Sequence, residues 1–216
     1  VVLVTGAAAV EGIGQACARR LAEEGARVYG SDVDELLGAD GTRALREQDL
    51  DYEFLQLDVT DDAQWRKAVD RIIAENGRLD VLVNNAGVAF AAPITETKLA
   101  DFRRLNAVNL RGTYLGLQHA VRVMRDNVPP GGSIINVSSV AGHAGLKRYA
   151  AYCASKGGVK NLAKAAALEC AAHQDSIRVN SIHPGLIWTA MNQANFDTLE
   201  QAEAAARDLT PLGDIG

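Results

Sequence analysis

Residues 1–25 read VVLVTGAAAVEGIGQACARRLAEEG. An apolar run ends at Gly6, a glycine-bearing stretch carries the chain through Gly12 and Gly14, and an amphipathic segment follows. Strand, glycine turn and helix start, in that order, are the context that a dinucleotide-binding loop requires. Gly6 suits a tight turn and Gly12 lets backbone approach a pyrophosphate. Gly14 lets the new helix lie close to the sheet, with its first amides facing the phosphates. By itself a glycine-rich loop is a weak signal, and Asp32 strengthens it. That residue closes the next apolar run, VYGSD, 18 residues past Gly14. A carboxylate there accepts hydrogen bonds from ribose hydroxyls and repels a 2′-phosphate. Glu11 adds a second negative charge inside the loop, and neither Lys nor Arg follows Asp32 directly, so the cofactor expected is NAD rather than NADP. The competing reading makes Asp32 the N-cap of the following helix. Asp58, in LDVT, likewise either caps the third helix or contacts adenine.

Outward from this segment the same grammar repeats. Short β-type runs near 1–5, 27–32, 53–57, 79–83, 132–138 and 177–183 alternate with helical patterns near 12–24, 34–47, 61–76, 98–126 and 151–173. Such alternation predicts a parallel sheet. The strands are almost continuously apolar (VVLV, DVLV, SIINV), as expected when helices cover both faces. Right-handed crossovers then give a doubly wound α/β sheet, with ligands held beyond the strand carboxyl ends at the switch point. With 216 residues, 48% apolar and 23% charged, and no Pro/Gly/Ser-rich linker, residues 1–216 read as one domain. The chain starts within a strand and stops at the loop-like PLGDIG, so residues are expected to be missing at both ends, including a last strand and helix.

A net charge of -5 and a pI near 5.4, with no basic block, argue against a nucleic-acid or acidic-membrane partner and for small molecules. No apolar run is long enough to span a bilayer, and no signal peptide is recognisable. Cys17, Cys153 and Cys170 match neither a disulfide framework nor a zinc site, which predicts a reducing, cytoplasmic setting and small packing roles. The four histidines, His119, His143, His173 and His183, lack metal-ligand spacing, so no catalytic metal is expected.

The chemistry-bearing residues are Tyr152 and Lys156 in YCASK, with Ser139 thirteen positions before the tyrosine. Positions i and i+4 share a helix face. A phenol normally ionises near pH 10, and an adjacent ammonium stabilises the phenolate; lowering its pKa to near neutrality takes about 4 kcal/mol. A hydroxyl at Ser139 can polarise the substrate oxygen that the phenol protonates or deprotonates, which suits interconversion of an alcohol and a ketone.

In this setting the chain resembles the short-chain dehydrogenase/reductase family of the Rossmann type over nearly its whole length. The shared motifs run in family order: TG with the later GxG, LDVT, NNAG at 84–87, Asn109 in VNLRG, INVSS at 135–139, YCASK, and IRVNSIHPG at 177–185. The resemblance implies a catalytic tetrad of Asn109, Ser139, Tyr152 and Lys156, with Asn109 holding a water and Lys156 binding the nicotinamide ribose. It further implies cofactor contacts at Gly6, Gly12, Ile13, Gly14, Asp32, Val33, Asp58, Val59, Asn85, Ala86, Gly87, Tyr152, Lys156, Pro184, Gly185, Ile187 and Thr189. Ser138 falls off the family spacing and reads as structural. Family members usually form tetramers, and the Ala-rich faces at 98–126 and 151–173 suit at least a dimer.

One departure is the loop, where five residues separate Gly6 from Gly12 instead of the usual three. Enoyl reductases of the same superfamily have a longer loop and a tyrosine–lysine spacing of seven, which Tyr149 and Lys156 satisfy. NNAG, Asn109, Ser139 and the intact YxxxK oppose that alternative. A third possibility is a sensor that binds NAD without catalysis. Phe90, Leu146, Trp188, Met191 and Phe196 suggest an apolar substrate, an alicyclic or steroid-like alcohol or ketone. Residues 192–208 read either as a mobile flap over the site or as an ordinary surface helix.

Overall fold

The computed structural model describes residues 1–193, 196, 198–210 and 212–216, with positions 208 and 209 by backbone only. Six strands form one sheet: β1 (Val2–Thr5), β2 (Val28–Asp32), β3 (Tyr52–Gln56), β4 (Val81–Asn84), β5 (Gly132–Val137) and β6 (Ile177–Ile182). Their order is β3-β2-β1-β4-β5-β6, and every neighbouring pair is parallel. The chain winds from β1 outward to β3, then returns to the other side of β1 and winds outward to β6. The carboxyl ends of β1 and β4 therefore flank the point where winding reverses, which opens a crevice there.

Period-two alternation sorts the strand side chains between two cores. Leu3, Tyr29, Leu82, Ile134 and Val179 face one side, under Trp65 and Ile72 of α3 (Asp62–Asn76) and residues of two later helices. Val2, Val4, Val28, Tyr52 and Val83 face the other, under Ala18 of α1 (Ile13–Glu23) and Leu45 of α2 (Glu35–Arg46). Full burial of each large side chain contributes roughly 1.5–3 kcal/mol, and this two-sided burial is why the strands read as unbroken apolar runs.

The expected helix over 98–126 is three pieces: α4 (Leu99–Asn106), a π-helical turn (Ala107–Arg111) and α5 (Gly112–Arg125). Gly112 N–H donates to the Ala107 carbonyl, the i to i+5 bond of a π-turn. Hydrophobic periodicity misses such a turn because one extra residue shifts the apolar stripe without breaking it. A long helix, α6 (Ala150–Ala172), precedes β6, and α7 (Ala190–Gln193) and α8 (Leu199–Leu209) follow it. Within the stretch read as a flap or surface helix, α8 starts at a Thr198 cap and buries Ala202 and Ala206; positions 194, 195 and 197 lie outside the described residues. Among the described residues no helix is long and apolar enough to cross a membrane.

Candidate active site

The strand carboxyl ends meet in a cavity of about 340 Å³. Its floor is the turn after β1. Gly6 has φ +67°, and a side chain there would meet the Ala86 backbone at 2.7 Å. At Gly14 a Cβ would lie 2.2 Å from the Gly6 carbonyl oxygen and 2.5 Å from Asn85 Nδ2, so only glycine lets α1 approach this closely. Asn85 braces the turn by donating from Nδ2 to the carbonyls of Thr5 (2.9 Å) and Gly6 (3.0 Å). Thr5 Oγ1 returns the contact by accepting from Asn85 N and Ala86 N, both at 3.0 Å.

Asp32 lines the cavity, and its carboxylate accepts from Ala8 N (3.2 Å) and Val33 N (2.8 Å). It is not the cap of α2: Asp34 is, accepting from Leu37 N at 3.0 Å. Asp58 likewise accepts from Thr60 N at 2.8 Å and lines the cavity, while Asp61 caps α3. Both helix-cap readings fail for the same reason: two residues separate β2 from α2 and five separate β3 from α3, and in each connection a later aspartate holds the capping position.

On the opposite wall, Ser139 stands just past β5 in extended backbone. Its Oγ accepts from Ala141 N at 3.1 Å. Tyr152 and Lys156 come from the first turns of α6, and Lys156 Nζ lies 5.7 Å from the Tyr152 ring centre. The expectation of a phenol lowered by its lysine needs correction here. Burial raises the Tyr152 phenol above its ordinary value; a hydrogen bond with Ser139 opposes that shift, and Cys153 and Tyr149 add to it. The Lys156 amine donates to the Val137 carbonyl at 2.8 Å. Burial pushes that amine down to about 8. Ser138 is structural, as its spacing suggested: its hydroxyl donates to the Lys156 carbonyl at 2.8 Å, fixing α6 against β5.

Asn109 is buried and absent from the cavity lining. Its Oδ1 accepts from Val88 N (2.8 Å), and its Nδ2 donates to Val88 O (2.9 Å) and Ser155 Oγ (3.1 Å). Ser155 Oγ in turn donates to the Tyr152 carbonyl at 2.8 Å. The π-turn thus presents an amide that ties the loop after β4 to α6. Both Nδ2 hydrogens are committed, so Asn109 can offer a water only acceptor positions: the second lone pair of Oδ1, or the main-chain carbonyl, which also accepts from Thr113 Oγ1 at 2.8 Å.

Of the residues expected around the cofactor, Gly6, Gly12, Ile13, Asp32, Val33, Asp58, Val59, Asn85, Ala86, Gly87, Tyr152, Lys156, Pro184, Gly185, Ile187 and Thr189 line the cavity, as does Ser139. Gly14 serves by packing alone. Leu57, Val88, Val137 and Asn192 also line it and escaped the motif reading; Leu57 and Val137 sit at strand carboxyl ends, a rule that could have found them. Of the five apolar side chains expected to face substrate, Met191 lines this cavity; Phe90, Leu146, Trp188 and Phe196 are half-buried and do not line it. In the lengthened glycine loop Val10 and Glu11 are exposed, and Gln193 of α7 donates to the Glu11 carboxylate at 2.8 Å, bridging the loop to the far rim.

These residues fit a dinucleotide. Gly12 caps α1 with no side-chain bond and donates its own N–H to the Ala9 carbonyl at 2.9 Å; the first intrahelical bond is Ala16 N–H to the Gly12 carbonyl, which leaves the amides of Ile13, Gly14 and Gln15 for an anion. The far side carries a carboxylate suited to ribose hydroxyls. At Gly87 a Cβ would lie 3.3 Å from Asn109 Oδ1 and 3.5 Å from Lys156 Nζ, so its bareness keeps the wall open beside the amine.

A glycine cradle at the switch point with a tyrosine, lysine and serine on its opposite wall defines a nucleotide-dependent oxidoreductase of the Rossmann class, and the chain belongs to the short-chain dehydrogenase/reductase family. Residues 6–216 match the family described as enoyl-(acyl carrier protein) reductase. The chain is 44% identical over 204 residues to a cyclopentanol dehydrogenase of Comamonas sp. (strain NCIMB 9872), covering 94% of this chain and 79% of that one. It is 38% identical to an NADP-dependent (R)-specific alcohol dehydrogenase of Lentilactobacillus kefiri, covering 100% and 83%. A 3-beta-hydroxysteroid dehydrogenase of Comamonas testosteroni is 39% identical, covering 91% and 74%. Among solved structures, a short chain dehydrogenase from Mycobacterium smegmatis superposes with a TM-score of 0.80 at 34% identity, covering 85% and 75%.

Proposed function

We propose that the protein is an NAD-dependent dehydrogenase that interconverts an apolar secondary alcohol, alicyclic or steroid-like, and its ketone. The observation that carries this reading is the meeting of Ser139 and Tyr152 in one cavity with Lys156 and the glycine cradle. Tyr152, as phenolate, takes the hydroxyl proton of the alcohol while Ser139 donates a hydrogen bond to the same oxygen. NAD, when bound, supplies the hydride acceptor for the carbinol carbon. Lys156 holds the nicotinamide ribose and lends positive charge that favours the phenolate, and Asn109 keeps the loop after β4 and α6 in register. Relatives named for cyclopentanol and hydroxysteroids support the substrate class. Three free thiols are in keeping with a cytoplasmic setting.

Tyr149 gives little support to the enoyl reductase alternative. Its ring packs edge-on against Tyr152 at 6.2 Å, and it does not line the cavity. The test is to incubate the protein with NAD and a panel of cyclic secondary alcohols, including cyclopentanol and hydroxysteroids, and follow nicotinamide reduction by absorbance. No turnover with either nicotinamide cofactor across the panel would sink the reading; tight NAD binding without turnover would favour the sensor instead.

Cofactor choice rests on Asp32, because a relative carries NADP dependence in its name. Asp32→Ala is expected to raise the NADP over NAD preference in kcat/KM on the order of 10–100-fold, since a carboxylate beside a 2′-phosphate is repulsive. An unchanged ratio would remove Asp32 from this role.

The assembly we propose is a homo-oligomer built on α4, α5 and α6. Phe102, Leu110, Tyr114 and Leu162 line an open apolar groove there, with Phe102 38% and Tyr114 49% exposed. Light scattering should give at least a dimer mass, and Phe102→Glu should lower it. A monomer at micromolar concentration would contradict this.

A further inference from the structure

Just outside the cavity wall, an imidazole braces the serine that the proposed chemistry uses. His183, directly after β6, donates from Nδ1 to the Ser139 carbonyl at 3.1 Å. Its other nitrogen, Nε2, pairs with Ser181 Oγ at 3.0 Å. A carbonyl can only accept, so the proton sits on Nδ1, and the Ser181 hydroxyl donates to Nε2. His143 packs across the His183 ring at 4.1 Å between centres, tilted by 58°. It caps the short helical turn Val140–Gly142 that Ser139 opens. The main chain on either side of Ser139 is also tied to this strand end, by Ser138 N to Ile182 O (2.9 Å) and Val140 N to Pro184 O (3.0 Å). Pro184 has no N–H to offer in return, and the imidazole supplies a side-chain donor at this point. The Ser139 carbonyl then accepts from both His183 and Gly142 N, the latter at 2.8 Å. Ser139 has little freedom left: its carbonyl is held by two donors and its Oγ by Ala141 N.

We infer that His183 is a positioning residue for the reaction: its Nδ1–H, oriented by Ser181, fixes the Ser139 backbone so that the serine hydroxyl points at the substrate oxygen that exchanges its proton with Tyr152. His183 touches neither substrate nor cofactor in this role and acts through Ser139. The inference rests on the dehydrogenase reading above.

Geometry suggests a discriminating pair of variants. In asparagine Nδ2 is bonded to Cγ, as Nδ1 is in histidine, so His183→Asn keeps a donor where the Ser139 carbonyl needs one. His183→Phe keeps a ring and puts carbon at that position. With NAD and an alcohol found to be a substrate, His183→Phe should lower kcat about 10–100-fold, the cost of misplacing a reacting group by a fraction of an ångström to an ångström. NAD binding, followed by fluorescence titration, should be unchanged. His183→Asn should recover most of the lost kcat. A general loss of structure would affect NAD binding as well and would not be reversed by a smaller, polar residue. A His183→Phe protein that binds NAD and keeps wild-type kcat, or a His183→Asn protein no faster than His183→Phe, overturns the inference. Should the phenylalanine variant fail to bind NAD, His183→Ala against His183→Asn makes the same comparison with the same two outcomes. Ser139→Ala, assayed in parallel, separates this failure from a broader one: if that variant turns over normally, the dehydrogenase reading itself falls, whereas its loss of activity beside a fully active His183→Phe refutes only the positioning role.

Discussion

Replacing Tyr152 with phenylalanine is expected to lower kcat for alcohol oxidation by about 10²–10⁴-fold, the usual contribution of a positioned acid–base group, while NAD still binds. Tyr149→Phe should leave turnover near that of the parent protein. Both rings lie at the start of α6, but of the two only Tyr152 lines the cavity, together with Ser139. Phenylalanine preserves the aromatic packing of either ring, so the two variants differ mainly in which hydroxyl is lost. If Tyr149→Phe abolished turnover and Tyr152→Phe did not, the enoyl reductase geometry would be the right one. The pH profile adds a second check. Burial holds the phenol above its ordinary value in the free protein, and oxidation needs the phenolate. Oxidation should therefore accelerate as pH rises toward the alkaline range, and ketone reduction, which needs the protonated phenol, should show the opposite trend. A flat profile for both directions would argue against Tyr152 as the proton carrier.

Lys156→Met is expected to have two large effects, one on turnover and one on the pH dependence of stability. Loss of the amine removes the charge that favours the phenolate, so turnover should fall by about 100-fold or more. Stability responds differently because the ammonium is buried, with its hydrogen bond going to the neutral Val137 carbonyl. Burial lowers the folded-state value from 10.5 to about 8. The unfolded chain thus binds more protons than the folded one between those values, and folding stability rises with pH across that window. Below about pH 8 both states carry the proton, and the folded protein bears the full penalty, on the order of 3 kcal/mol. Methionine carries no such penalty, although it leaves the Val137 carbonyl without its donor, which costs about 1–3 kcal/mol. At pH 7 the two terms nearly offset. The variant's stability relative to wild type should then decline by about 2–3 kcal/mol between pH 7 and pH 10. Urea denaturation at the two pH values reads this directly; a constant difference would mean that Lys156 is not charged and buried as described.

The lysine also shows where motif reading stops. The spacing YxxxK correctly brings Tyr152 and Lys156 to one helix face, yet spacing cannot say which acceptor the amine chooses. That choice falls to the Val137 carbonyl, contributed by a strand nineteen residues earlier. The aspartates make a similar case. Asp32 and Asp34 are equally plausible caps by composition, and the two are told apart by where β2 ends and α2 begins. Asn109 was legible as a site residue, whereas its clamp on Val88 and Ser155 depends on a π-turn that leaves no mark in hydrophobic periodicity. Nothing beside His183 in the sequence marks its role, because its partner, Ser139, is 44 positions away.

By itself the sequence determined the alternation of strand and helix, the parallel sheet, the glycine turn and the set of residues gathered at the strand carboxyl ends. Those features are encoded locally, in the period of apolar residues and in backbone positions that only glycine tolerates. The tertiary structure alone decided the hydrogen-bond partners of Lys156, Asn109, Asp32 and His183, and which apolar side chains reach the cavity. A polar side chain bonds whichever group the folded chain brings within about 3 Å, and that neighbour is set by strand order and helix packing rather than by the residues beside it in sequence.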